Sequence, residues 1–328
     1  MTLVNIGSTV LTRFLLIDLG IIALSILVSQ NFFPIESLGG ENSMQVSTIT
    51  ELLLSIIPKN IPAAFMDKNI LQVAIMASFA GICIIAINNR IPNVKIMVHE
   101  LNYLFFKILE TVFKVIPLII FLCILKTLYV NKLSDFFVVW KLIVASLIVY
   151  AIIIFLFSIN LSFKSVNILD FTKKILPIIT ISFITGNSSA TLPKSLEISK
   201  ESLHIDEKLC NFWIPLALVL FSPSKLIQLT MAGFYVVAVS GEIISAMEFI
   251  LIVFLAIQLS VATPNAGGGI VASFSILLTE LGLPTEYIGS LVIADVITGN
   301  LFTALNSFIR ESELVLVANK LNFVKKEV

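Results

Sequence analysis

The feature that most constrains this chain is a pair of small-residue clusters set inside long apolar runs. One reads Gly186-Asn187-Ser188-Ser189-Ala190-Thr191-Leu192-Pro193, the other Thr263-Pro264-Asn265-Ala266-Gly267-Gly268-Gly269. Each cluster sits between two apolar arms. Each hairpin-like unit leads into one long apolar helix with polar residues at its middle. The first such helix carries Ser222, Pro223, Ser224 and Lys225; the second carries Asp295, Asn306 and Arg310. The layout occurs twice. Irregular backbone at membrane depth is tolerated only where protein buries it or a water-filled cavity meets it. Interrupted apolar segments in corresponding halves of a chain are where carriers place their solute.

Composition fixes the solvent. Of 328 residues, 58% are hydrophobic and 13% charged, where a soluble domain has about a quarter charged. The runs 142–156 and 243–259 lack the polar stripe of a soluble surface helix. The expectation is an all-α integral membrane protein. The formal net charge is zero, which implies no nucleic-acid partner. Cys83, Cys123 and Cys210 fall in or beside apolar runs without metal-ligand spacing and read as small core hydrophobes. His99 and His204 flank helices. No nucleophile–base pair or metal cluster falls in the apolar interior, so an enzyme is not expected. The first apolar run continues to membrane length, so it does not read as a cleavable leader.

In order, residues 1–34 hold a lead-in of about 13 residues and a first transmembrane helix, 15–32. Residues 35–133 hold scaffold helices. The first, 49–87, is segmented at Pro58-Lys59-Asn60 and Asp67-Lys68-Asn69; a turn at 88–95 leads to a second helix over 98–130. A transmembrane helix follows in 134–166. The first hairpin occupies 167–205, with arms of about ten residues against the roughly 20 that a span needs. It therefore reads as re-entrant. A broken helix (206–241), a second re-entrant hairpin (242–284) and a last broken helix with its tail (285–328) complete the chain. Arg13, Arg90, Lys95, Lys164, Lys173, Lys174, Lys194, Lys200, Lys208 and the C-terminal lysines gather on one side. The positive-inside rule makes that side cytoplasmic, with both termini there, for a multi-pass protein of the cell membrane.

At this point the residues resemble a family. Ser188-Ser189-Ala190-Thr191-Leu192-Pro193 is similar to the serine-rich first hairpin tip of the dicarboxylate/amino acid:cation symporters, the glutamate-transporter fold. Pro264-Asn265-Ala266-Gly267, with Leu278-Thr279-Glu280-Leu281-Gly282-Leu283-Pro284, resembles their second hairpin and its exit. The resemblance implies a bundle with two re-entrant hairpins and two broken helices. It implies symport of a small organic anion, a dicarboxylate or amino acid, by alternating access. It also implies sodium or a proton as coupling ion and a homotrimer in the bilayer, held by the helices of 49–87 and 98–130. Residues 1–32 resemble the family's third helix, so the chain reads as a shortened or truncated member.

The departures define the site. Where the family carries Asn-Met-Asp-Gly-Thr in its unwound helix, this chain has Phe221-Ser222-Pro223-Ser224-Lys225, and the proline breaks the helix. In the last helix Asp295, Thr303 and Asn306 match the family. Gly299 stands for the amino-group-binding aspartate, Phe302 for the arginine that reads a carboxylate, and Arg310 for a sodium-binding aspartate. The expected substrate-binding set is Ser188, Ser189, Thr191, Pro264, Asn265, Ala266, Gly267, Gly268, Lys225, Asp295, Thr303, Asn306 and Arg310. Re-entrant tips offer amides to an anion; small tips also simply let backbones pack closely. Gly267 and Gly268 supply a hinge or only a tight turn. Lys225 and Arg310 either line the site or snorkel to an interface, and Arg310 has Glu311 and Glu313 as local ion-pair partners. A fixed cation does not share a site with sodium, so sodium coupling is not expected here. The alternative reading is a degenerate, non-transporting homologue with a scaffold role.

Overall fold

The computed structural model describes residues 3–34, 90–113, 133–242, 246–263 and 269–323, with single positions between 76 and 118. No β-strand occurs among the described residues. The helices are α1 (Leu3–Phe32), α2 (Pro92–Phe113), α3 (Leu133–Phe163), α4 (Ile168–Thr185), α5 (Leu192–Glu201), α6 (Glu207–Leu220), α7 (Pro223–Ser240), α8 (Ala246–Ala262), α9 (Gly269–Glu280) and α10 (Ile288–Leu321). Among the described residues, four apolar stretches are long enough to cross a membrane: Thr9–Phe32, Val139–Phe163, Glu207–Ser240 and Thr285–Leu321. The shortest has 24 residues, about 36 Å of helix against a hydrocarbon core of about 30 Å. The protein is an all-α integral membrane protein.

Helical spacing sorts the side chains of α1. Val10, Phe14, Asp18, Ile21, Ser25 and Phe33 are buried, while Leu15, Leu16, Leu19 and Leu27 are exposed. In a membrane the exposed leucines face lipid, which is as apolar as they are. The inner face packs on α7 and α3. Phe14 stacks on Phe221 with ring centres 4.7 Å apart and meets Trp213 edge-on at 5.7 Å; Phe33 meets Tyr235 edge-on at 5.5 Å. On the other side α3 packs along α10, where Tyr150 stacks on Phe302 at 4.4 Å.

The second half of α10 is the axis of the bundle. Every residue from 306 to 318 is buried, on all faces. That stretch contains Arg310, Glu311 and Glu313. Buried charges are tolerated only when paired and hydrogen-bonded, and each of the two carboxylates finds a partner on a different element. Glu313 takes a two-point ion pair from Arg13 of α1, with Nη2 to Oε2 at 2.8 Å and Nε to Oε1. Glu311 accepts from Ser199 at 3.1 Å and from Ser195, both on α5.

Four sequence expectations are corrected. The lead-in over residues 1–13 is helical from Leu3, because Val10 is fully buried and Arg13 has its partner inside. The turn expected at 88–95 gives way to α2 at Pro92; proline suits a first helical position, where its missing N–H has no partner to lose. The first arm of the first hairpin has 18 residues, not about ten. Asn167 caps it by accepting from the Leu169 and Asp170 amides, which draws the charged turn up to Lys174 into the helix. The last helix is unbroken over its 34 residues. It contains no proline, and a lone interior glycine such as Gly299 costs only about 1 kcal/mol. Residues 49–75, and most of 76–87 and of the second half of 98–130, lie outside the described residues.

The Arg13–Glu313 pair spans the chain and carries a prediction. Glu313's side chain is 0% exposed, and removing one partner of a buried pair costs about 3–5 kcal/mol. Arg13→Ala should lower the melting temperature of the detergent-solubilised protein, followed by tryptophan fluorescence. Glu313→Leu in that background should recover most of the loss.

Candidate functional site

The first hairpin tip is built by local hydrogen bonds. Gly186 ends α4 with φ +58°, and its N–H bonds to Ser182 O at 2.9 Å. Asn187 then accepts from the Ser189 amide at 2.8 Å, which opens the short turn Ser188–Thr191. Thr191 Oγ1 donates to the Ser188 carbonyl at 2.7 Å. Ser188 and Thr191 are buried; Ser189 is exposed. The tip rests on α10: a Cβ at Gly186 would lie 2.6 Å from Asn300 Oδ1. Left-handed backbone and close approach both require glycine there.

The break between α6 and α7 falls at Phe221 and Ser222, with Pro223 as the first residue of α7. Ser222 makes no side-chain cap. Its carbonyl accepts from the Lys225 and Leu226 amides at 3.1 and 3.2 Å. The Ser224 amide reaches across to Asn306 Oδ1 on α10 at 3.5 Å. Break and axis are thus joined through the asparagine.

Two cations meet at this junction. Lys225 Nζ donates to the main-chain carbonyl of Thr263, just past the end of α8. A cation there meets the negative end of the helix dipole. Thr263 Oγ1 is also hydrogen-bonded to Ser273 of α9, so Lys225 is tied to both arms of the second hairpin. Arg310 is 3% exposed and does not snorkel. Its Nη2 bonds to Ser307 Oγ at 3.2 Å, and Ser307 is hydrogen-bonded to Ser182 of α4, in the first hairpin. Its Nη1 is buried without a hydrogen-bond partner among the described residues. Lys225 lies within electrostatic reach of Arg310, and Arg310 within reach of Glu311. Each cation therefore holds a different hairpin, and their helices are joined beside the break by the Ser224–Asn306 contact.

The other expected residues are distributed around this core. Thr303 spends its hydroxyl on the Gly299 carbonyl one turn back, at 2.8 Å. Asp295 lies further along α10, where Oδ1 accepts from Gln228 Nε2 of α7 at 3.1 Å. Pro264, Asn265, Ala266, Gly267 and Gly268 lie outside the described residues. The sequence reading missed Ser182, Ser307, Thr263, Ser273 and Gln228. Gln228 was within reach of it, since it stands one helical turn from Lys225 on the same helix.

The sequence profile of the Sodium:dicarboxylate symporter family matches residues 2–318. A Haemophilus influenzae protein called "Uncharacterized symporter" is 29% identical over 276 residues, covering 80% of this chain and 62% of its own length. The L-cystine uptake proteins TcyP of Bacillus cereus and Bacillus licheniformis are 21% and 23% identical, each over 80% of this chain and 59% of their own length. The chain spans about three fifths of the length of the curated relatives it matches.

The Lys225 bond gives a local prediction. A cation at a helix C-terminus contributes about 1 kcal/mol, roughly fivefold in local opening. In Lys225→Met, amide exchange over residues 255–263 should quicken about fivefold by mass spectrometry, with α4 unchanged. Equal exchange in both proteins would mean that the bond holds nothing.

Proposed function

We infer the function from a plain premise: the chain belongs to the sodium:dicarboxylate symporter family, whose profile matches residues 2–318. We propose that it is part or all of a secondary carrier that moves a small organic anion across the cell membrane by alternating access, without covalent chemistry. The observation that carries this reading is the placement of Lys225 and Arg310, each tied to a different hairpin, on the two helices joined beside the break. Arg310 Nη1 has no hydrogen-bond partner among the described residues. The first turn of α7 adds the positive end of a helix dipole, which favours an anion. An amino acid or dicarboxylate offers the matching carboxylate, and a guanidinium binds it through a planar fork. Two relatives carry L-cystine uptake in their name, which puts that dicarboxylic amino acid first among solutes to try.

In this reading the two hairpins are re-entrant and dip to the bilayer midplane, and the lysine-rich loops lie in the cytoplasm with both termini. The assembly is a homotrimer. Ser188, Thr191, Asn306 and the second tip, 264–268, contribute to the anion's surroundings. Sodium has no place beside the two cations. At 4 Å two unit charges repel by about 4 kcal/mol even at an effective dielectric of 20.

Proteoliposomes loaded with unlabelled L-cystine or a dicarboxylate should exchange it for labelled solute outside. Replacing sodium with choline should change the rate less than about twofold, an energy difference below about 0.5 kcal/mol. Arg310→Ala should slow exchange about tenfold or more, since hydrogen bonds to charged groups contribute about 1.5–3 kcal/mol. Absence of exchange with every carboxylate tried would overturn the carrier reading. Steep sodium dependence would overturn the sodium-free form of it.

A further inference from the structure

Away from the two cations, α10 carries a second polar site. Asp295 sits in a cavity of about 20 Å³ lined by α3, α7, α9 and α10, about the room one water molecule needs. Among the described residues its hydrogen-bond donor is a neutral group, Gln228 Nε2 at 3.1 Å. Gly299 makes the space: a Cβ there would lie 2.8 Å from Asp295 Oδ1. No ion pair to Asp295 occurs among the described residues.

The elements that face it bring no charge into the cavity. From α3 come Leu142, Ile143 and Ser146; from α7, Gln228 and Ala232; from α9, Phe274; from α10 itself, Leu291, Thr298 and Phe302. The nearest charged side chain along α7 is Lys225, which is committed to the Thr263 carbonyl. A lone ionisable group inside a membrane helix is expensive and marks function by default. Two ligands could remove its charge, a metal cation or a proton. A hard cation needs a shell of oxygens. Here the amide turns its nitrogen toward the carboxylate, Thr298 donates its hydroxyl to Ala294 O at 2.7 Å, and most of the lining is hydrocarbon. A proton needs only the carboxylate itself.

We propose that Asp295 is the coupling site of this carrier and that its ligand is a proton. The proposal rests on the carrier reading above. Asp295 takes one proton from water on one side of the membrane, forming an O–H bond and breaking no other in the protein. It crosses as the neutral acid and returns the proton to water on the other side. Gln228 is a positioning residue: its amide donates to the carboxylate and, turned over, accepts from the acid. The site is separate from the anion site, so proton and organic anion ride together without sharing a residue.

The test uses the purified full chain in liposomes, with L-cystine as first solute. In the wild type, an inward proton gradient should drive accumulation at least fivefold above equilibrium in sodium-free buffer. Asp295→Asn should abolish that accumulation while keeping solute exchange, and the exchange should become insensitive to pH. Asp295→Glu should restore part of the accumulation, which separates loss of a proton from misfolding. Infrared difference spectra between high and low pH should show a carboxylic-acid carbonyl band. The band should vanish in Asp295→Asn and persist in Asp18→Asn, the control at the buried carboxylate of α1. Exchange without proton-driven accumulation in the wild type overturns the proposal and leaves the carrier reading intact. So does a band lost in Asp18→Asn alone. Absence of exchange in the wild type overturns the carrier reading itself, and the infrared band then decides separately whether Asp295 binds a proton.

Discussion

The structure depends on how α10 keeps charge inside a protein that has little room for it. Its second half is buried on every side yet carries an arginine and two glutamates. Each uncompensated charge there would cost several kcal/mol. The helix therefore recruits its neighbours: Arg13 from α1, Ser195 and Ser199 from α5, Ser182 from α4 through Ser307, and the Ser224 amide from α7 through Asn306. These polar ties set the rotational positions of α1, α4, α5 and α7 about the axis. Apolar packing between helices in lipid is less selective, because lipid tails are as apolar as leucine. Small residues and hydrogen bonds then decide which faces meet.

The second consequence is a division of labour between the cations. Lys225 is a point charge on a flexible stem, and it sits on a carbonyl past the end of α8, where a point charge suffices. Arg310 is a planar fork with one nitrogen occupied by Ser307 and another unoccupied among the described residues. The first secures a hairpin; the second retains capacity for a ligand. Asp295 lies apart, with its own cavity and its own amide partner, so anion chemistry and proton chemistry need not compete for the same atoms.

Much of this was legible in the chain. Gly186 and Asn187 mark the first tip because glycine takes the left-handed cap and asparagine opens the next turn. Pro223 marks the helix break because it cannot donate to the preceding turn. Lys225 and Arg310 stand out because cations are rare in such apolar runs. What stayed hidden was pairing. Arg310 lies beside Glu311 and Glu313 in sequence, which reads as a local ion pair. In the fold Glu313 turns to Arg13, 300 positions away. Ser182 and Ser307 read as fillers of apolar helices, since a hydroxyl can satisfy itself on its own helix and gives no sign when it does not. The break expected in the last helix came from the doubled layout and the family resemblance, whereas a break needs a missing backbone hydrogen bond. Thr298 and Thr303 instead bond to carbonyls one turn back.

The central claim is that a carboxylate belongs at the meeting of the two cations. An experimental structure in lipid nanodiscs, determined with a saturating transported carboxylate in sodium-free buffer, tests it directly. The account predicts a carboxylate oxygen within about 4 Å of Arg310 Nη1, the reach of an ion pair, with the N-terminal end of α7 beside it. A carboxylate seated elsewhere, for example on the exposed Ser189 with Arg310 Nη1 still without a ligand, would contradict it.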